Sequence, residues 1–471
     1  MKWIEVQTKK TAPELFEPLA QEPHSFFLDS SSQTNDSTHD SKRYSFLGAF
    51  PYKIVRSIEE VEKELCDLSS IQTQLPSSLT HIPFLGGAVG FISYEAIRQW
   101  EKHLGPAKPE PFHISDILFG FYDTFFVVDH MQKKILLISL ELTHQSRDIF
   151  AIFKNIVCSE DRRAGRAGTV PLKAESESEH ERKFPAGKFD SVSEEHTMFL
   201  KIPSNLSFEQ YSEKILKAKH YIQHGEIYQV NLSQCLQMPL SIPPYEAYKK
   251  LRALNPAPFS AYLNFGEGQI LCSSPERFLQ TNAQGLIQTE PIKGTVKRGK
   301  NPEEEESLKH FLLTSEKNRA ELMMIVDLER NDLGKICQFG SIHVPTLYEL
   351  RTYATVHHLV SVIRGKLKTK NLVDILQACF PGGSITGAPK LRAMQIIDEL
   401  EPHNRGIYTG SIGYIDYRRQ MDLNIAIRTI MHQQGNIFFP VGSGIVWDSN
   451  PTEEYEETLY KGQALISAVS P

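Results

Sequence analysis

Segments with helical and with strand periodicity both occur in this chain, and together they predict a fold that mixes α-helices with β-strands. Ser207 and Gln210 form a capping-box pattern, Tyr211, Ile215, Ala218 and Ile222 recur at helical spacing, and Gly225 supplies a stop. From Ile227 to Leu236 the side chains alternate instead, Tyr228, Val230 and Leu232 on one face against Gln229, Asn231 and Ser233 on the other. At 471 residues the chain exceeds one simple core, so two to three domains or one large two-lobed unit are expected.

In chain order, residues 1–158 form an N-terminal region. Its start, MKWIEVQTKKTAPELF, lacks the apolar run of a signal peptide, and the polar stretch Ser30 to Arg43 reads as a surface loop. The most apolar stretch, Ile117 to Val128, is interrupted by Asp123 and falls short of a membrane span. Residues 159–200 are dense in charge, Gly, Pro and Ser and almost free of aliphatic residues, which reads as a charged linker or long loop. The remainder, residues 201–471, opens with the helix and strand above, whose polar face suits a wet cleft.

Further on, Leu286 to Thr289 suits an extended strand that Pro291 would end. Lys293 follows, between that proline and Gly294, and is a candidate nucleophile if desolvation or a neighbouring cation keeps its amine neutral. A helix is expected from about Pro302 to Asp332, with acidic Glu303 to Glu306 at its positive end. Glu321 borders the apolar face made by Leu322, Ile325 and Val326. The run Phe380 to Lys390 is a glycine-rich turn before a helix, without P-loop spacing. Val441 to Ile445 is a short glycine loop whose N–H groups can meet an anion. In the helix from Thr452 to Lys461, Glu454, Glu457 and Lys461 share one face.

Composition excludes several classes. A net charge of −6 gives no electrostatic reason to expect nucleic acid, and 40% hydrophobic with 23% charged residues describes an ordinary globular protein without a membrane segment. The six scattered cysteines include no C-x-x-C pair, which fits a reducing cytoplasm better than a disulfide framework or zinc site.

Read together, these segments resemble the chorismate-utilising enzymes, the family that spans anthranilate, para-aminobenzoate, isochorismate and salicylate synthesis. The resemblance is carried in order by EIYQVNLSQ, NPAPFSAYL, SSPERFL, TEPIKGT, AELMMIVDLERNDLG, VHHLVS, FPGGSITGAPKLRAM, GSIGYID, NIAIRT, GSGIVWDS and EEYEETLYK. FFLDSS, KRYSFLGAFP and PFLGGAVGFISYE extend it into the N-terminal region. It implies an α+β fold of two stacked antiparallel β-sheets flanked by helices, with the active site in a cleft and the two regions interwoven.

The resemblance also implies chemistry. Gln229 stands where the water-adding branches carry a lysine, which points to an ammonia-using branch. Lys293 stands where anthranilate synthases carry alanine, which points to the para-aminobenzoate branch and to amination of chorismate at ring carbon 4. Anthranilate synthesis is the runner-up. In this reading Lys293 attacks the ring, Glu276 protonates the departing hydroxyl, and His358 lies near the ring. Glu321 and Glu457 would bind Mg²⁺ directly and Glu454 through water, although Asn318 replaces an acidic residue usual in the family. Thr295, Ser384, Lys390, Tyr408, Arg428, Gly442, Gly444, Lys461 and Gln229 would meet the substrate. Leu28-Asp29-Ser30 lies where anthranilate synthases bind tryptophan, with Asp29 replacing the usual glutamate. No glutaminase signature is present, so ammonia would come from solution or from a glutamine amidotransferase subunit on a separate chain.

Overall fold

Strands such as Gly87–Ile92, Ile117–Tyr122 and Ser411–Asp416, buried on both faces, build two sheets in which every pairing among the described residues is antiparallel; the computed structural model describes residues 1–30, 43–68, 76–109, 112–158 and 202–470. The span 159–200 and, apart from Ser30 and Arg43, the polar stretch 30–43 lie outside the described residues. The eleven-stranded sheet joins the two halves of the chain where Phe26–Asp29 pairs with Phe259–Asn264. The ten-stranded sheet joins them where Gly87–Ile92 pairs with Ser411–Asp416. Side chains from both sheets, among them Phe26, Phe46, Phe91, Phe125, Ile270 and Ile412, form one buried cluster between them. At about 1.5–3 kcal/mol for each large apolar side chain, burial makes this seam a main source of cohesion. Helices cover the outer faces, as in the cluster that sets Val61, Leu322, Leu376 and Met394 against strand residues Phe119, Phe278 and Leu359. This is the expected α+β architecture.

Local structure corrects two details. The helix expected over Pro302 to Asp332 is two helices, Pro302–Thr314 and Glu316–Gly334. Ser315 breaks them, because it leaves helical geometry and its side chain caps the second by accepting from Asn318 N–H at 3.3 Å. The strand after the first long helix begins at Gln229, so Tyr228 is not part of its alternation and is 71% exposed. Val230 and Leu232 pack with Tyr211 and Ile215 of helix Phe208–Gln223, which has the expected capping box. The polar side chains Gln229, Asn231 and Ser233 are buried as well, so neither face of this strand is solvent-facing.

The ten-stranded sheet also carries a buried ion lattice. Arg277 donates to Glu290 and, at 2.9 and 3.0 Å, to both oxygens of Asp422, while Arg351 donates to the other oxygen of Glu290. Burial opposes the charge on Glu290, but the two guanidiniums outweigh it and hold the carboxyl at about 2. Glu290 therefore contributes stability above its unfolded pKa of about 4.3, and that contribution disappears as pH falls toward 2. Glu290→Gln is expected to lower unfolding free energy at pH 7 by about 3–5 kcal/mol, because both arginines lose a buried anion. Urea melts at pH 7 and near pH 3 check this: the gap between wild type and variant should shrink at the lower pH.

Candidate active site

Lys293 is placed by a break in strand pairing. Strands Leu286–Glu290 and Ile292–Lys297 both pair with Val356–Lys366, and the register slips between Ile292 and Thr295. Gly294 takes φ +79°, and a Cβ there would lie 2.8 Å from Leu312 Cδ1 and 2.9 Å from Asn318 Cγ, so the bulge requires glycine. Lys293 Nζ donates to Ser384 O at 3.2 Å. Its pKa is lowered, first by burial and then by Lys461, against the opposing pull of Glu321, Glu276 and Glu457. A fraction of neutral amine is thereby favoured, as a nucleophile needs.

Glu276 precedes strand Arg277–Thr281 and is 4% exposed. Its Oε1 accepts from Ile292 N–H at 3.3 Å, beside the lysine. Burial raises its pKa, with the Ile292 N–H, Lys293 and Lys461 acting in the opposite sense. Thr295 and His358 are ladder partners, and Thr295 Oγ1 and His358 Nδ1 share a 2.8 Å hydrogen bond. Burial, with help from Arg428 and His357, pushes His358 down to about 3, so its imidazole is neutral. His357 turns elsewhere, to Thr352 Oγ1 at 2.9 Å and Glu305 at 3.1 Å.

The facing wall comes from paired strands Gln229–Pro239 and Asn436–Ile445. A Cβ on Gly444 would stand 3.0 Å from Gln229 Nε2 and 3.5 Å from Lys293 Nζ, so amide and amine converge over this glycine. A Cβ on Gly442 would stand 2.8 Å from the Tyr408 hydroxyl. Gln229 is fully buried, yet among the described residues neither its Oε1 nor its Nε2 has a hydrogen-bond partner. Such a group is costly unless a ligand completes it. Arg428 has left-handed backbone, φ +52°, of the kind concentrated at functional sites, and its Nη1 donates to Lys461 O at 3.0 Å. Among the described residues no carboxylate forms an ion pair with it, which leaves its fork available for an anion.

Helix Glu316–Gly334 brings Glu321 to this cleft, and helix Pro451–Val469 brings Glu454 and Glu457. The three glutamates are not gathered into one ligand set, and no group of three or more His, Cys, Asp or Glu able to hold a metal occurs among the described residues. Glu457 pairs with Lys461 at 2.6 Å, Lys461 Nζ also donates to Gly442 O at 3.0 Å, and buried Glu454 accepts from Ser449 Oγ at 2.6 Å. Glu321 and Glu457 do act on the same Lys293 amine. Lys390, expected to meet the substrate, has its ammonium held by Asp332 and by the carbonyls of Cys379 at 2.9 Å and Pro381 at 2.7 Å. It braces the glycine-rich turn that presents Ser384.

A cavity of about 700 Å³ lies apart from this group, lined by Asp29, Phe259, Arg277, Glu290, Arg351 and Tyr414 among others. Asp29 at its edge is engaged by Arg252, and by Tyr248 and Ser45 at 3.3 Å each. The sequence reading missed the ion lattice and missed Glu329, buried on helix Glu316–Gly334. A signal for Glu329 existed, since Leu322, Val326 and Glu329 follow i, i+4, i+7 spacing on the apolar face.

Residues 20–467 match the sequence family described as chorismate binding enzyme. Aminodeoxychorismate synthase component 1 of Klebsiella aerogenes is 36% identical over 468 residues, 96% of this chain and 95% of its own. Anthranilate synthase component 1 of Aquifex aeolicus (strain VF5) is 37% identical over 388 residues, 82% of this chain and 74% of its own. The crystal structure of anthranilate synthase component I from Streptococcus pneumoniae TIGR4 superposes with a TM-score of 0.72 at 29% identity, covering 92% of this chain and 94% of that one. No helix among the described residues is long and apolar enough to cross a membrane.

Proposed function

Because this chain belongs to the chorismate-binding enzyme family, we propose that it aminates chorismate at ring carbon 4 to give 4-amino-4-deoxychorismate, using ammonia from solution or from a separate glutamine amidotransferase subunit. The observation that carries this reading is Lys293, an amine whose pKa burial lowers, set beside the buried acid Glu276. Lys293 attacks ring carbon 2, both conjugated ring double bonds shift, and the hydroxyl leaves carbon 4; Glu276 supplies the proton that turns the hydroxyl into water. Ammonia then attacks carbon 4 and expels the lysine, so the amine ends para to the ring carboxylate.

Other residues bind and orient. Arg428, with Tyr408 and the N–H groups of Gly442 and Gly444, takes the enolpyruvyl carboxylate. Gln229 completes its hydrogen bonds on the incoming nitrogen or the substrate, and neutral His358, held by Thr295, packs beside the ring. Carboxylate oxygens suit a hard cation, so Mg²⁺ would have to draw Glu321 and Glu457 together, Glu457 giving up its pairing with Lys461, with Glu454 reaching the ion through water. When bound, the ion would neutralise the substrate's ring carboxylate.

Product analysis with chorismate, ammonium and magnesium tests the reading. Chromatography with mass spectrometry is expected to show 4-amino-4-deoxychorismate without release of pyruvate. Anthranilate with stoichiometric pyruvate as the main product overturns the assignment and installs the chemistry named for the Aquifex aeolicus relative.

A further inference from the structure

Gln229, Ser384 and Tyr408 come from three segments far apart in sequence, and one buried cation ties those segments together. Arg405 is 1% exposed, and each of its N–H donors has a protein acceptor. Nε and Nη2 donate to the two oxygens of Glu401 at 2.8 and 2.7 Å. The other bonds go to Asn231 O at 2.7 Å, Ile385 O at 3.2 Å and Thr409 Oγ1 at 3.3 Å. Each of these lands beside a residue of the site. Asn231 lies two residues from Gln229 on the same face of strand Gln229–Pro239, Ile385 follows Ser384, whose carbonyl receives Lys293 Nζ, and Thr409 follows Tyr408.

The cation is itself held from two sides. Glu401 Oε1 also accepts from Ser233 N–H at 2.8 Å and from Ser233 Oγ at 2.9 Å, which joins the ion pair to the Gln229 strand a second time. Glu95, from the N-terminal region, accepts from the backbone N–H groups of Arg405 and Gly406, one on each oxygen, both at 2.8 Å. Thr409 has left-handed backbone, φ +62°, an outlier for a β-branched residue, and its Oγ1 donates to Tyr408 O at 2.5 Å. Such a conformation persists only where its surroundings over-determine it. A buried ion pair stabilises a fold little more than well-packed apolar side chains would, so cohesion alone does not account for donors aimed at three site segments.

Building on the proposed amination of chorismate, we infer that Arg405 is a positioning residue that sets the spacing of Gln229, Ser384 and Tyr408, and so the approach of Lys293 to the ring. It acts through its neighbours. One rigid planar group spans the strand that carries the Gln229 amide, the turn whose carbonyl receives the lysine, and the loop that presents the Tyr408 hydroxyl.

Arg405→Lys tests this, since it keeps the charge beside Glu401 but has three donors and no planar fork, so the five bonds cannot all be made. With ammonia as nitrogen source, kcat per folded molecule is expected to fall about ten- to a hundredfold, because a misplacement of about 1 Å can cost 10²-fold. KM for chorismate should change by less, because Arg428 is held separately on Lys461 O. Thermal melts give the folded fraction. Phe153→Leu, in the buried cluster under helix Ser146–Cys158, is the comparator that loosens the core without altering these bonds. Thr409→Val is a milder second variant that leaves the Arg405–Glu401 pair in place: kcat should fall, and Thr409→Ser, which keeps the hydroxyl, should restore it. Arg405→Lys no slower per folded molecule than Phe153→Leu, or Thr409→Val matching Thr409→Ser, overturns the positioning role. If wild type gives anthranilate and pyruvate instead, the proposed function fails, and the same comparisons read on that product decide the role of Arg405.

Discussion

Glu276→Gln is expected to lower kcat with ammonia by about 10²–10⁴-fold, the usual worth of a positioned general acid. KM for chorismate should change little, because the amide preserves side-chain shape and the groups assigned to the substrate carboxylate, Arg428 and Tyr408, are untouched. Activity and stability should separate. Burial raises the pKa of Glu276, so its ionisation costs folding free energy above the unfolded pKa of about 4.3, and a glutamine cannot ionise. The variant should therefore be at least as stable as wild type at pH 7 to 8, as read from thermal melts. Near-native kcat in a folded Glu276→Gln protein would assign the leaving-group proton to another residue.

The structure bears on how far such chemistry can be read from residues alone. Lys293 was visible because Pro291 and Gly294 are informative neighbours: one ends a strand, and the other admits a backbone conformation and a close approach that side chains forbid. The helix at Phe208–Gln223 was visible because its cap and its apolar spacing agree. The split at Ser315 was not, since the acidic and apolar residues on both sides all favour helix and a single serine decides where it breaks. The brace on Lys390 was not visible for a related reason: its partner Asp332 lies 58 residues away in sequence and is met only through tertiary packing. The Arg277–Glu290–Arg351–Asp422 lattice was hidden in the same way, because each member looks locally like a surface charge on a strand. What periodicity cannot show is which charged residues a second sheet or a crossing helix will cover.

Lys293→Ala separates a covalent role for this lysine from an electrostatic one. The substitution removes the nucleophile but leaves Glu276 to activate the hydroxyl, and ammonia is itself a nucleophile. Turnover to the aminated product should fall by about tenfold or more, at least ~1.4 kcal/mol of transition-state stabilisation, while chorismate still binds. Removing the lysine also takes away an amine that converges with the Gln229 amide over Gly444, so ammonia gains room on that side of the ring. Direct attack at carbon 2 then becomes accessible, and some product with the amine ortho to the carboxylate is expected. Wild-type protein given chorismate without ammonia should accumulate an adduct on the peptide that contains Lys293, detected by intact-mass and peptide mass spectrometry, and the alanine variant should show none. Full synthesis of the para-aminated product by Lys293→Ala, with no adduct on wild type, would reduce the lysine to a charge that orients the substrate, and would leave the lowered amine pKa without a catalytic purpose.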